Sequence, residues 1–271
     1  MTTFVNELGP QIIQEAKASP FWDKWKEAIQ IERNSLFKWG VVGKIQEIPI
    51  GHTPVGYSWV FVRKRNDKGE VIRYKARFVA QGFTQRFDFY YTDTYSLVMD
   101  ATSFRWLIHF VVQRSLHMHL MDVVTTYLYG DSDNDIYMKI PEELCNSMQL
   151  GKFRNPSIKL CKSLYGLKQV GRMWYQHLSQ YLLSHGFKND DICPCIFIKH
   201  HLKEFVIIVI YVDDLNIIGT SNAIEDVVVM LRCQFEMKDL GLTTFCLGLQ
   251  IEHLSNGILL HLSAYIHKRL K

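Results

Sequence analysis

The sequence predicts a globular fold in which β-hairpins alternate with amphipathic helices, and three observations predict it. First, 48% of the 271 residues are apolar, and a chain this long can bury a full core as one large domain or as two lobes sharing an interface. Second, Phe205 to Gly219, FVIIVIYVDDLNIIG, runs through β-branched residues into two adjacent aspartates and then resumes as apolar. β-Branched side chains favour strands, and the run is too short to cross a membrane, so the pattern is that of a buried hairpin with carboxylates at its tip. Third, SWVFVRKR and EVIRYKARFVAQG flank Asn66-Asp67-Lys68-Gly69, a turn-forming insert between two strand-like runs.

Taken in order, Ser19-Pro20 predicts an N-cap followed by proline at the first helical position, with Trp22, Trp25 and Ile29 at helical spacing. Gly40 to Pro54 is rich in Gly and Pro and predicts an extended connector. In the hairpin that follows, alternation places Arg73, Lys75 and Arg77 on one face of the second strand and Ile72, Tyr74, Ala76 and Phe78 on the other. One side can pack while the other meets phosphates, with Arg63 and Arg65 adding charge; a merely solvated face is the structural alternative. Gln81 to Val98 is aromatic and irregular. Thr102 is a candidate cap for a helix whose core stripe is Phe104, Leu107, Ile108, Val111 and Val112.

HLMDVVTTYLYG then sets Asp122 inside an apolar run. A buried lone carboxylate is costly unless backbone donors satisfy it at a strand end or a metal binds it. Ile136 to Pro141 predicts a short strand and Cys145 to Pro156 a surface loop. SLYGLK, Ser163 to Lys168, precedes a helix from about Gly171 in which Trp174, Leu178, Tyr181 and Leu182 share a face, with Gly186 as its stop. Ser221 or Asn222 is expected to cap a helix bearing Ile224, Val227, Val228 and Leu231, and Thr244 to Glu252 with Gly257 to Leu262 predict a second hairpin.

Charge is unevenly spread. Net charge is only +4, yet Tyr57 to Arg86 holds eight basic residues against Asp67 and Glu70, a localised patch suited to a polyanion. Six scattered cysteines fit reduced thiols better than a disulfide framework. Cys193-Pro194-Cys195 near His200 and His201 invites a zinc reading, but no second cysteine pair has standard spacing. Met1 to Pro10 lacks the basic start and apolar core of a signal, and no later segment reaches membrane-spanning length. A soluble, intracellular protein, cytoplasmic or nuclear, is expected.

Asp213 and Asp214 suit a turn, and a bare Asp-Asp is often no more than that. Pressed between apolar strands, however, two carboxylates repel each other and lose solvation, so one takes up a proton or a divalent cation resolves the conflict.

At this point five ordered blocks share one likeness. YVDD at Tyr211 to Asp214, MDVVTTYLYG at Met121 to Gly130, RYKARFVAQGF at Arg73 to Phe83, SLYGLKQ at Ser163 to Gln169 and FEMKDLG at Phe235 to Gly241 closely resemble the copia-type reverse transcriptase of LTR retrotransposons. The resemblance implies an α+β fold of right-hand polymerase type, an antiparallel palm sheet backed by helices, with residues 1–50 as an N-terminal helix and connector and 51–271 as fingers and palm with only the start of a thumb. It implies RNA-directed DNA polymerisation on an RNA or DNA template with primer and deoxynucleoside triphosphates. Asp122, Asp213 and Asp214 would be the catalytic set binding two Mg2+ ions, Mn2+ being able to substitute. Lys75, Arg77 and Tyr127 would meet the nucleotide, and Arg63, Arg65, Arg73, Gly166, Lys168 and Gln169 the nucleic acid. Thr126 stands where alanine is usual, Leu97 where proline is usual, and RFDFYYT at Arg86 to Thr92 replaces a more acidic stretch. With the short thumb, these departures motivate the alternative of a catalytically silent remnant that at most binds nucleic acid.

Overall fold

The computed structural model describes residues 9–66, 69–141, 153–201 and 204–270. In chain order the elements are α1 (Ile13–Ala18), α2 (Trp22–Lys38), β1 (Val42–Glu47), β2 (Tyr57–Arg65), β3 (Val71–Ala80), α3 (Ala101–Arg114), β4 (His117–Val123), β5 (Asp131–Met138), β6 (Pro156–Lys162) and α4 (Val170–Ser184). There follow β7 (Lys188–Asn189), β8 (Ile196–His201), β9 (Glu204–Tyr211), β10 (Asp214–Gly219), α5 (Ser221–Gln234), β11 (Met237–Leu242), β12 (Phe245–Cys246), β13 (Leu249–Leu254), β14 (Gly257–His261) and α6 (Ser263–Leu270). The strand pairings within the four sheets are antiparallel, so the fold class is α+β. Among the described residues no helix is long and apolar enough to cross a membrane.

The chain divides into two compact units, Met1–Tyr95 with Tyr127–Trp174, and Ser96–Thr126 with Tyr175–Lys271. In the first unit α2 packs on β3, and Trp25 and Leu36 join Phe61, Phe78, Leu128, Met138 and Leu160 in a single core. The helix and the hairpin each bury one apolar face in this shared core. Glu32 completes the joint: its Oε1 accepts from the Phe78 backbone N–H at 3.1 Å. Burial raises its pKa although that bond and the charges of Lys75 and Arg77 pull the other way. The supposed connector Gly40 to Pro54 contains β1, which pairs antiparallel with β6 from Val42↔Leu160 to Glu47↔Pro156. As an edge strand in the order β1-β6-β5 it buries none of its residues fully and exposes Lys44 and Glu47, so VGKIQE shows no apolar run to betray it.

The second unit is built on a six-stranded sheet in the order β11-β4-β10-β9-β8-β7. Val206 to Ile210 and Leu215 to Ile218 are buried, and α5 packs on β9 and β10 through Ile224, Val227, Val228 and Leu231. Three predicted caps move. α2 starts at Trp22 with Phe21, not Ser19, in the cap position. Asp100, not Thr102, caps α3, its Oδ1 accepting from the Thr102 and Ser103 N–H groups at 2.7 and 3.1 Å; the carboxylate starts the helix two residues before a Thr102 cap would. α5 starts at Ser221 with Thr220 in the cap position and no side-chain cap bond. The predicted second hairpin is β13 and β14, with Leu254↔Gly257 closing it. Cys145 to residue 152 of the predicted surface loop, like Asp67 and Lys68 of the first turn, lie outside the described residues.

Candidate active site

Strand register assembles the carboxylates. β10 pairs with β4 so that Asp214 lies across from Asp122, and β11 pairs with the other edge of β4 so that Lys238 lies across from the same Asp122. Lys238, Asp122 and Asp214 therefore form one row across three strands. Tyr211↔Asp214 closes the β9–β10 hairpin, which leaves Val212 and Asp213 as a two-residue turn. The Val123 N–H donates to the Asp213 carbonyl at 2.9 Å and ties the tip to the end of β4. Val212 has φ 57°, a left-handed conformation that β-branched residues avoid and glycine takes freely. Such strain costs about 1–3 kcal/mol and persists where its surroundings impose it. The explanation of the aspartates as simple turn formers fails here, because the position that needs a turn former carries valine.

The electrostatics follow from this crowding. Asp214 is pushed up to about 6, first by burial, then by the charges of Asp213 and Asp122, against the opposing pull of Lys238. Asp122 is ion-paired to Lys238 through Oδ2 and Nζ. A divalent cation fits this donor set in kind: hard carboxylate oxygens, mutually repelling, one of them holding its proton unusually tightly. The set is not closed, however. Among the described residues no three His, Cys, Asp or Glu side chains converge as a ligand sphere, and Asp122 is engaged by a lysine instead. Cys193 and Cys195 are free thiols with their sulfurs 3.2 Å apart.

Beneath Asp214, two residues along and on the same face of β10, Asn216 is fully buried. Its Nδ2 reaches the Cys246 sulfur at 3.2 Å and its Oδ1 accepts from the Thr243 hydroxyl at 2.9 Å. Burial pushes the Cys246 thiol up to about 11, with the Asn216 bond opposing and the charge of Asp214 adding. This satisfied polar cluster anchors the carboxylate strand to the turn before β13. Nothing in the sequence pairs residues 27 and 30 positions apart; the polar interruption of an apolar strand at Asn216 was the available signal. Thr126 is also buried, and its hydroxyl donates to the Val123 carbonyl at 3.0 Å.

In the first unit the hairpin register places Arg73 opposite Lys64, Lys75 opposite Val62 and Arg77 opposite Val60. Lys64, rather than Arg63, therefore shares the basic face. Arg63 lies across from Tyr74 on the packed face, its guanidinium 5.4 Å from the Phe21 ring and 6.0 Å from Trp25. Alternation puts it on the side where α2 packs. Arg65 stands beyond a bulge and donates to the Gly69 carbonyl at 2.6 Å. Lys75 is lowered to about 8, by burial first and then by Arg77, Arg73 and Lys64, with Glu32 opposing.

SLYGLKQ packs against the end of β3. Arg77 lies over the Tyr165 ring at 5.5 Å and Tyr127 meets that ring edge-on at 5.4 Å, so two of the predicted nucleotide residues are brought together. Gly166 has φ 89°, and a Cβ there would collide with the Ala80 carbonyl oxygen and Val79; its role is close approach. Gln169 is fully buried, its Oε1 accepting from Gln85 at 3.1 Å and its Nε2 donating to the Tyr90 carbonyl at 2.9 Å. It braces the loop and has no surface to offer a nucleic acid, which corrects that assignment. Lys168 is exposed.

Comparison with known proteins bears on this arrangement. Residues 39–271 match the family described as reverse transcriptase (RNA-dependent DNA polymerase). The chain is 33% identical over 266 residues to the retrovirus-related Pol polyprotein from transposon TNT 1-94 of Nicotiana tabacum, covering 97% of this chain and 20% of that protein. It is 33% identical over 245 residues to the corresponding polyprotein from transposon RE1 of Arabidopsis thaliana, covering 90% of this chain and 16% of that one. The chain thus spans a fifth or less of the length of these curated relatives. A foamy viral protease–reverse transcriptase solved in complex with double-stranded DNA is similar at 14% identity and a TM-score of 0.43, over 91% of this chain and 36% of that one, too distant a likeness to bear on the site.

Proposed function

Because the chain belongs to the reverse transcriptase (RNA-dependent DNA polymerase) family, in its copia type, we propose that it catalyses RNA-directed DNA synthesis on a primed template. Membership implies dependence on a divalent metal. Asp122, Asp213 and Asp214 would hold Mg2+, with Mn2+ as a substitute, and the bound ions would supply charge stabilisation at the attacking and leaving oxygens. The reaction forms a bond between the primer 3′-oxygen and the α-phosphorus of a deoxynucleoside triphosphate and breaks the bond to pyrophosphate.

The protein's own residues divide the work. Lys75 and Arg77 offer cations to the triphosphate, and Tyr127, braced on Tyr165, presents an aromatic face toward the sugar. Arg73, with Lys64, Arg65 and Lys168, offers charge to the backbone of the template and primer. Arg63, Gly166 and Gln169 support these side chains from within the fold. The observation that carries the reading is the row of Lys238, Asp122 and Asp214 beside a turn strained at Val212, since a protein gains little from setting carboxylates against one another beside a strained turn unless something binds there.

The test is primer extension on an RNA template with Mg2+ and four deoxynucleotides. Extension that falls by about 100-fold or more in Asp214→Asn, the scale of losing one electrostatic element of such a site, supports the polymerase. Extension unaffected by Asp214→Asn refutes it. No extension combined with salt-sensitive binding of the primer–template supports a silent nucleic-acid-binding domain instead.

A further inference from the structure

Among the described residues, Asp122 is the member of the carboxylate set that is ion-paired, and the partner is built in. Lys238 faces it across the β11–β4 ladder, its ammonium is paired to the Asp122 carboxylate, and its charge also opposes the rise at Asp214. Asp239, the next residue along β11 and therefore on its other face, takes His119 Nε2 at 2.6 Å and Arg232 at 3.3 Å. β11 is the edge strand of the sheet, and the Lys238 side chain is 56% exposed against 23% for Asp122. The lysine can therefore swing into water at little cost, whereas the carboxylate cannot move away from its neighbours.

From these observations we propose that Lys238 is a resident counter-cation that neutralises Asp122 before metal arrives, so that loading a divalent ion is an exchange in which the ammonium must leave. The proposal rests on the reading of Asp122, Asp213 and Asp214 as the metal-binding set. It explains why the carboxylates are crowded together without forming a closed ligand sphere: the third ligand is held by an ammonium. It also gives Lys238 a second effect, because a lysine that competes for Asp122 makes the site weaker for metal than its carboxylates alone would be. The protein trades metal affinity for a site that does not repel itself while empty. No bond to carbon or phosphorus is made or broken in the exchange; one ion pair is replaced by metal coordination.

The experiment is a Mn2+ titration of the full chain, with free Mn2+ read by electron paramagnetic resonance, alongside thermal melts with and without the ion. Lys238→Met should bind Mn2+ more tightly, on the order of fivefold, the effect of removing a partly exposed competing ion pair. It should also melt lower than the parent without metal and gain more from its addition. Lys238→Arg, which keeps the charge and pairs with both carboxylate oxygens, should bind Mn2+ more weakly than the parent, and equal or tighter binding there overturns the proposal even if Lys238→Met does not fold. Equal or weaker binding in Lys238→Met overturns the proposal while leaving the metal site standing. Failure of the parent chain to bind Mn2+, or binding indifferent to Asp122→Asn and Asp214→Asn, overturns the metal-site reading itself and the proposal with it.

Discussion

Lys75 offers the sharpest measurement on the basic hairpin. Its ammonium is half-buried among Arg73, Arg77 and Lys64, and its pKa falls from 10.5 to about 8, with burial the largest cause. A lysine whose folded pKa is depressed contributes stability that is complete above the unfolded value, near 10.5, and lost as pH falls through about 8. At pH 7 the folded protein therefore carries the full penalty of a charged Lys75. The gap is worth at most about 3 kcal/mol, and screening by solvent at a partly exposed site cuts this to about 1 kcal/mol. Lys75→Met should accordingly raise the melting temperature at pH 7 by about 2–4 °C, and the gain should vanish near pH 10. The same shift makes phosphate binding titrate. With a midpoint near 8, the charged fraction falls about tenfold between pH 7 and pH 9, so affinity for a labelled primer–template, followed by fluorescence anisotropy at fixed low salt, should weaken by up to that factor. Lys75→Arg stays charged throughout and should flatten the profile. A parent profile as flat as that of Lys75→Arg, or a Lys75→Met melt no higher than the parent, would refute the argument.

Three further outcomes are expected. Arg73→Ala should lower the slope of log affinity against log salt by roughly one phosphate contact, whereas Arg63→Ala should leave that slope alone and cost about 1 kcal/mol of stability from its lost packing on Phe21 and Trp25; equal salt slopes for the two variants would show that the faces are misassigned. Gly166→Ala combines a left-handed backbone with a collision against β3 and should destabilise by about 2 kcal/mol or more in urea unfolding, so a neutral result would remove the close-approach explanation. Val212→Gly should relieve strain and stabilise the metal-free protein by about 1 kcal/mol while loosening the Asp213 tip; a destabilised variant would mean that Val212 contributes more by packing than it costs in backbone energy.

What the sequence determined by itself was local and periodic. The run from Phe205 to Gly219 contains its own strand signal, because β-branched residues in succession and a polar break define a hairpin without reference to any other part of the chain. The alternation of Arg73, Lys75 and Arg77 likewise follows from the pleat alone, and the ordered motifs were sufficient to indicate the family. Tertiary structure decided everything that depends on register between distant strands. Alternation within β2 could not say which of Arg63 and Lys64 faces outward; the packing of α2 on one side of the hairpin made that choice. Lys238 lies in a short, charged edge strand with no apolar period, so only the β11–β4 ladder reveals that it meets Asp122. For Gln169 the SLYGLKQ resemblance implies a nucleic-acid contact, whereas the folded loop spends both ends of its amide on Gln85 and Tyr90. In each case the sequence supplies the side chain, while the pairing that gives it a partner is a long-range contact whose free energy comes from burying faces that are not adjacent in the chain.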